Sequence, residues 1–285
     1  MTRIPDLLAA GTTVSLEFSP PRDAEAAAAL ETVMDELETV RPSFASMTYG
    51  ALGSTRDATR DVVLDWNAKR PFPTMAHLTC VGHSKAEIAE LLDAYAAGGV
   101  ENILALGGDP PADGTDPGGD FRYAAELVET VRSHPAGFAV GVAAHPEKHP
   151  RSASLSSDRQ HLADKLALAD FAVTQFVWTA DPYVQMVNEL ADLGVTKPVI
   201  PGVMLFINVH AMRRMSSFND TVIPEAVDAG ADAVDGDPKA VRLHATDVCE
   251  ALSRDLLAAG APGLHLYTMN RAPASIDLVG RLGLR

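Results

Sequence analysis

The sequence predicts an α/β chain folded as a single (β/α)8 TIM barrel over residues 1–285. Three observations carry that prediction. Short runs rich in Val, Ile, Leu and Phe alternate with amphipathic stretches, giving eight strand-then-helix units. The strand runs are continuously apolar, as parallel strands covered by helices require. At 285 residues and 47% hydrophobic content, the chain can bury the core of one closed barrel. An open doubly wound sheet is the runner-up, but no G-x-G-x-x-G follows the first strand.

Taken in order, "VSLEF" (Val14–Phe18) precedes "DAEAAAALETVMDELETV", where Leu30, Val33, Leu37 and Val40 recur at helical spacing. "FASMT" (Phe44–Thr48) precedes a helix starting near Asp57. "TMAHLTC" (Thr74–Cys80) precedes "SKAEIAELLDAYAAGG", in which Ser84 and Glu87 fit a capping box and Gly98–Gly99 ends the helix. "NILAL" (Asn102–Leu106) precedes a helix from about Asp120 to Ser133, and "FAVGVAA" (Phe138–Ala144) one from about Ser157. "FAVTQF" (Phe171–Phe176) leads into "DPYVQMVNELADLG", with Asp181 as cap, Pro182 at the first helical position and Gly194 as stop. "PVIPGVM" (Pro198–Met204) leads into a longer helical stretch ending near Gly260, and "GLHLYT" (Gly263–Thr268) into a last short helix.

A formal charge of −15 argues against nucleic acid or an anionic membrane as partner, though not against a small anion in a local pocket. No run approaches the length of a membrane span, and "MTRIPDLLAAG" lacks the features of a signal peptide. Two cysteines, Cys80 and Cys249, do not make a disulfide framework, so reduced thiols and a cytoplasmic location are expected. The stretch Asp109–Asp120 breaks the composition and reads as one loop rather than a linker.

In a barrel of this kind the chemistry sits at the carboxyl ends of the strands. Those ends carry Glu17, Thr48, His77, Asp109, His145, Gln175, Asn270 and Arg271. Each has a bland reading: Glu17 pairing with Arg22, His77 as a core histidine, Gln175 as glue between strands. Their convergence on one rim favours a site. Glu17 lies in an otherwise apolar strand, where desolvation suits a general acid. Asp109 stands beside glycines that leave room for a ligand. Two acids in unlike surroundings divide labour, one giving a proton and one stabilising positive charge, which suits a nitrogen-rich, cation-forming substrate. "HPEKH" with His77 leaves a metal-dependent hydrolase as a remote alternative, although Pro146 argues against one helix face for His145 and His149. A non-catalytic binding protein is another.

The motifs "LEFSPPR", "SMTYGALGSTRDAT", "AHLTC", "ILALGGDPP", "AAHPEKHP", "TQF", "VIPGVM" and "LHLYTMNRA" occur in that order between Val14 and Ala272. Together they resemble the catalytic barrel of the methylenetetrahydrofolate reductase family. The resemblance implies reduction of 5,10-methylenetetrahydrofolate to 5-methyltetrahydrofolate by a nicotinamide dinucleotide, NADH first and NADPH as the alternative. It makes Glu17 the acid that protonates N10, and Asp109 the carboxylate near the pterin. It gives substrate binding to Gln175, Thr48, Tyr267 and Arg271. Cofactor binding falls to Thr48, His77, Gly108, Tyr123, His145, His149 and Lys165, and Asp158 agrees with the family pattern as well. No metal is implied. The carboxy-terminal domain through which eukaryotic relatives are inhibited by adenosylmethionine has no counterpart, so no such regulation is expected.

The sequence departs from the family where FAD is held. Gly107 replaces an arginine, His145 an aromatic residue, His161 an asparagine and Asp164 a basic residue. Val209 stands where a ligand-packing phenylalanine is common. A pyrophosphate needs cations and bidentate donors, and each charged hydrogen bond lost costs roughly 1.5–3 kcal/mol. The expectation is therefore a flavin-independent enzyme with direct hydride transfer. The alternative is the same reaction through bound FAD by a ping-pong route. The oligomeric state is not legible.

Overall fold

The eight apolar runs become eight parallel strands in the computed structural model, which describes residues 2–49, 56–109, 115 and 117–284. They are β1 (Thr13–Phe18), β2 (Phe44–Met47), β3 (Thr74–Thr79), β4 (Asn102–Leu106), β5 (Ala139–Ala144), β6 (Phe171–Phe176), β7 (Val199–Met204) and β8 (Gly263–Tyr267). Each pairs with its sequence neighbours, and β8 closes on β1 to complete the barrel. The helices are α1 (Ile4–Ala10), α2 (Ala24–Glu38), α3 (Arg56–Lys69), α4 (Lys85–Ala97), α5 (Ala124–Ser133), α6 (Leu155–Leu168), α7 (Asp181–Asp192), α8 (Val209–Phe218), α9 (Glu225–Val234), α10 (Pro238–Ala258) and α11 (Pro273–Leu282).

Local chemistry explains where most helices begin. Asp23 accepts the Ala26 N–H at 2.8 Å and starts α2. Ser84 and Glu87 form the expected reciprocal box at α4, with bonds of 3.2 and 2.8 Å. Two starts differ from the sequence expectation. Asp120 does not open α5, because its carboxylate accepts the Lys85 N–H at 2.9 Å at the start of α4. The chain turns helical only at Ala124, where Glu126 takes the N–H groups of Arg122 and Tyr123. Asp181 lies inside α7 rather than capping it; Ala180 is the N-cap and no side chain caps the end.

The long stretch before β8 is three helices, not one. Asp220, at φ 55°, ends α8, and Pro224 precedes α9. Gly236, at φ 88°, precedes Asp237, whose side chain accepts from Lys239 and Ala240 to start α10. The helix α1 escapes sequence reading because seven residues show no usable periodicity.

That short helix closes one end of the barrel. Ile4 is fully buried, and Leu7 and Leu8 pack with it on Phe44, Met75, Leu104, Phe171, Val173 and Ile200. Burying Ile4 is worth about 1.5–3 kcal/mol, and its N–H is satisfied by Asn102 Oδ1 at 2.8 Å. The apolar plug closes the amino-terminal end of the interior, where Asn102 is the polar side chain that meets it. The two cysteines are free and buried. Among the described residues no helix is long and apolar enough to cross a membrane. Residues 110–114 and 116 of the expected Asp109–Asp120 loop, and 50–55 of the "TYGALGST" stretch, lie outside the described residues.

Candidate active site

The period-two geometry of β1 aims Ser15 and Glu17 at the same face, and parallel pairing sets Ser15 beside His265 of β8. His265 bridges the two. Its Nδ1 lies 2.7 Å from Ser15 Oγ and its Nε2 lies 3.1 Å from Glu17 Oε2. The single Ser15 hydroxyl proton has two acceptors within reach, Leu264 O at 3.2 Å and the closer Nδ1. In the tautomer in which it goes to Nδ1, the imidazole proton sits on Nε2 and is donated to Glu17. His77 of β3 brings its Nε2 to 3.4 Å from the same oxygen, without hydrogen-bond geometry. Burial pushes His77 down to about 4, with Glu17 opposing the shift, so it is neutral near pH 7. Oε1 of Glu17 has no hydrogen-bond partner among the described residues, and the side chain is 14% exposed. One carboxylate oxygen is held and the other is left to act.

The backbone around Glu17 is also fixed. Thr268 Oγ1 donates to the Glu17 carbonyl at 2.7 Å. The Asn270 side chain accepts from Ser19 N and donates to Ser19 O, both at 2.9 Å. Met269 and Asn270 hold φ of 52° and 53°, a left-handed pair that turns the chain back over β1. Tyr267 does not point a free hydroxyl at the mouth, because its OH donates to Thr174 O at 2.7 Å. Its ring meets His265 edge-on at 5.4 Å. Burial holds the phenol protonated, with Glu17 adding to the effect. Arg271 follows as an exposed residue.

The other expected residues also lie at strand ends. Thr48 is half-buried just past β2, its N–H on Phe18 O and its carbonyl accepting from Thr59. Asp109 is exposed, three residues beyond β4. Gln175 is half-buried and lines a small cavity with His145, Glu147, Phe176 and Asn219. Gly108 holds φ 85°, and a Cβ there would lie 2.4 Å from Val81 Cγ1, so only glycine fits. Tyr123 is set apart at the start of α5 with 67% of its surface exposed.

The segment between β5 and α6 is pinned by a buried cation. Arg159, 3% exposed, donates to His145 O at 3.1 Å and to Pro146 O, and pairs with Asp158 and Glu189. His145 meets His149 edge-on at 4.4 Å. Burial, then His149, pushes His145 down to about 3, and burial also lowers His149. Lys165 is lowered to about 8 by burial, and its Nζ donates to Ala143 O at 2.9 Å. Asp158 accepts from Ser152 at 2.7 Å.

These contacts bear on FAD. Asp158 and Lys165 hold the protein together, His77 lies against Glu17, and Gly107 offers no side chain. On α6 both His161 and Asp164 are exposed, and Asp164 accepts from Gln160. Val209 is buried in a cluster with Trp178, Phe206 and Met212 and presents no aromatic face. None of these side chains offers an unengaged cation to a flavin pyrophosphate. Among the described residues no three His, Cys, Asp or Glu side chains converge as a set that could hold a metal ion.

Three contributors escaped sequence reading as site residues. Ser15 and His265 lie two residues before Glu17 and Tyr267, so strand alternation alone predicts their shared face. Glu147 carried no such signal. Burial raises its carboxyl, the Val222 N–H donates to it, and Oε2 is buried without a partner.

Comparison with known proteins bears on this geometry. The family model described as methylenetetrahydrofolate reductase matches residues 2–283. The chain is 34% identical over 288 residues to methylenetetrahydrofolate reductase (NADH) 1 of Zea mays, covering 96% of this chain and 48% of that protein. It is 30% identical over 273 residues to the 5,10-methylenetetrahydrofolate reductase of Pectobacterium carotovorum, covering 95% and 90%. The chain thus spans about half the length of the plant relative and most of the bacterial one. A solved protein from Clostridium thermocellum, which binds two copies of 5-methyl-5,6,7,8-tetrahydrofolic acid, shares the fold with TM-score 0.66. Its identity is 10%, over 97% of this chain and 96% of that one.

Proposed function

This chain belongs to the methylenetetrahydrofolate reductase family, and from that premise we propose that it reduces 5,10-methylenetetrahydrofolate to 5-methyltetrahydrofolate with hydride taken directly from NADH. The observation that carries the reading is the Ser15–His265–Glu17 chain of contacts at the barrel mouth. With Oε2 held by the His265 N–H, Oε1 is the oxygen that delivers a proton. Glu17 protonates N10 as the bond from N10 to the methylene carbon breaks. The bonding pair stays on N10, and the methylene carbon is left as a 5-iminium cation. Asp109, an exposed carboxylate past β4, stabilises that charge. The nicotinamide C4 hydride adds to the methylene carbon, giving the 5-methyl product and NAD+. The Glu17 carboxylate keeps its His265 N–H donor and regains a proton from water. Gln175, beside the cavity it shares with His145 and Glu147, is assigned to the pterin.

Direct transfer is supported by the engagement of Asp158 and Lys165 within the protein. An iminium ion is a strong electrophile, so proximity and orientation suffice for hydride transfer. NADH is favoured by the plant relative's printed name. The test is the visible absorbance of the purified protein together with two-substrate kinetics. A colourless protein, activity indifferent to added FAD and intersecting initial-rate lines are expected. A yellow protein bleached by NADH and reoxidised by methylenetetrahydrofolate, with parallel lines, would overturn the flavin-independent route. Glu17→Gln is expected to abolish folate reduction while NADH binding persists; near-normal turnover removes Glu17 as the acid.

A further inference from the structure

We infer that Arg151 is the phosphate-binding cation of this chain, and that it and His149 receive the pyrophosphate of the nicotinamide dinucleotide at the tip of β4. The inference rests on the nicotinamide-dependent reading above and adds where the dinucleotide's negative charge docks.

Gly107 leaves an uncovered stretch of backbone one residue beyond β4. The guanidinium of Arg151, carried on the β5–α6 segment, lies over it. A Cβ placed on Gly107 would sit 4.0 Å from Arg151 Nη2, and Nη2 reaches Gly108 O at 3.5 Å. A neutral carbonyl at that distance does not cancel the charge. Arg151 is exposed and forms no ion pair with an acid among the described residues. The acids around it are directed elsewhere. Asp158 holds Ser152 and Arg159, Glu147 accepts from the Val222 N–H, and Asp109 makes no ion pair with Arg151. In a chain of charge −15, an arginine with no acidic partner among the described residues at the catalytic mouth is a specific attraction for an anion.

The loop that carries it is built to hold it there. Lys148 Nζ donates to the carbonyls of His149 and Ser152 at 3.1 and 2.9 Å, and Ser152 N donates to His149 O. The Arg151 N–H donates to His149 Nδ1 at 3.1 Å. That bond puts the His149 proton on Nε2, which has no acceptor among the described residues. One short segment thus supplies a planar cation and a neutral N–H donor, both of which a diester pyrophosphate accepts. Gly107 therefore does not leave the β4 tip without positive charge; the cation comes from the next crossover instead.

The test is calorimetric titration of wild type, Arg151→Met and Arg151→Lys with NADH, ADP-ribose, reduced nicotinamide riboside and FAD. Arg151→Met is expected to weaken NADH and ADP-ribose roughly tenfold to a hundredfold and to flatten the salt dependence of both. Arg151→Lys should recover part of the loss, and the phosphate-free riboside should bind all three proteins alike. Unchanged NADH binding by Arg151→Met, or equal weakening of the riboside, overturns the assignment and leaves the functional reading intact. A wild type that binds neither NADH nor ADP-ribose overturns both. FAD that displaces NADH and depends on Arg151 gives the cation to a flavin and overturns the assignment to NADH.

Discussion

Glu17 and His265 are hydrogen-bonded across the seam where β1 meets β8, with Nε2 3.1 Å from Oε2 and the imidazole fully buried. The contact joins the carboxyl that delivers the proton to a ring oriented in turn by Ser15. His265→Asn keeps a polar group near Ser15 but withdraws the donor from Glu17. It should lower kcat by about tenfold to a hundredfold, less than the 10²–10⁴-fold typical of a lost general acid, with the KM for NADH unchanged. Steady-state kinetics decide it; an unaltered kcat would remove His265 from the mechanism.

Stability should fall on acidification between pH 6.5 and about 4. His77 is pushed down to about 4 and His145 to about 3, both chiefly by burial. Over that window the unfolded chain binds protons that the folded chain refuses, so the folded state loses ground as pH drops. The combined effect is on the order of a few kcal/mol. Melting temperatures measured across the range should show the decline, and His145→Gln should flatten part of it.

Asn270 should tolerate glycine better than alanine. At φ 53° a non-glycine residue carries about 1–2 kcal/mol of strain, which the two bonds to Ser19 offset. Asn270→Ala loses those bonds and keeps the strain, for a loss of about 1–3 kcal/mol relative to wild type. Asn270→Gly should recover the strain component. Urea unfolding of the two variants measures the difference, and equal losses would mean that the backbone is not strained there.

Arg159→Met should destabilise the protein by about 3–5 kcal/mol, since it strands partners that sit in or near the core. Asp158 and the carbonyls of His145 and Pro146 lose their donor. Hydrogen exchange should rise first in the segment joining β5 to α6. Exchange confined to α7, beyond Glu189, would assign the loss to that outer pair instead.

Much of this was legible in the residue order. Buried strands must be apolar on both faces, so all eight announce themselves, and each begins and ends within one residue of its reading. Boundaries failed where a side chain had two uses. Asp120 has the character of a helix cap but serves the neighbouring helix, and nothing local distinguishes the two roles. The three-way division before β8 was signalled by Pro224 and Gly236 but was outweighed by the helical residues around them.

The sequence by itself determined a barrel of parallel strands, an acid at the end of the first, and the family to which the chain belongs. Strand periodicity and motif order are local properties that survive without coordinates. Only the closed sheet decided that His265 and Ser15 hold Glu17, that Tyr267 spends its hydroxyl on Thr174, and that Arg151 covers the gap at Gly107. Those contacts join residues far apart in the chain, and a charge or hydrogen bond acts through space rather than along the backbone.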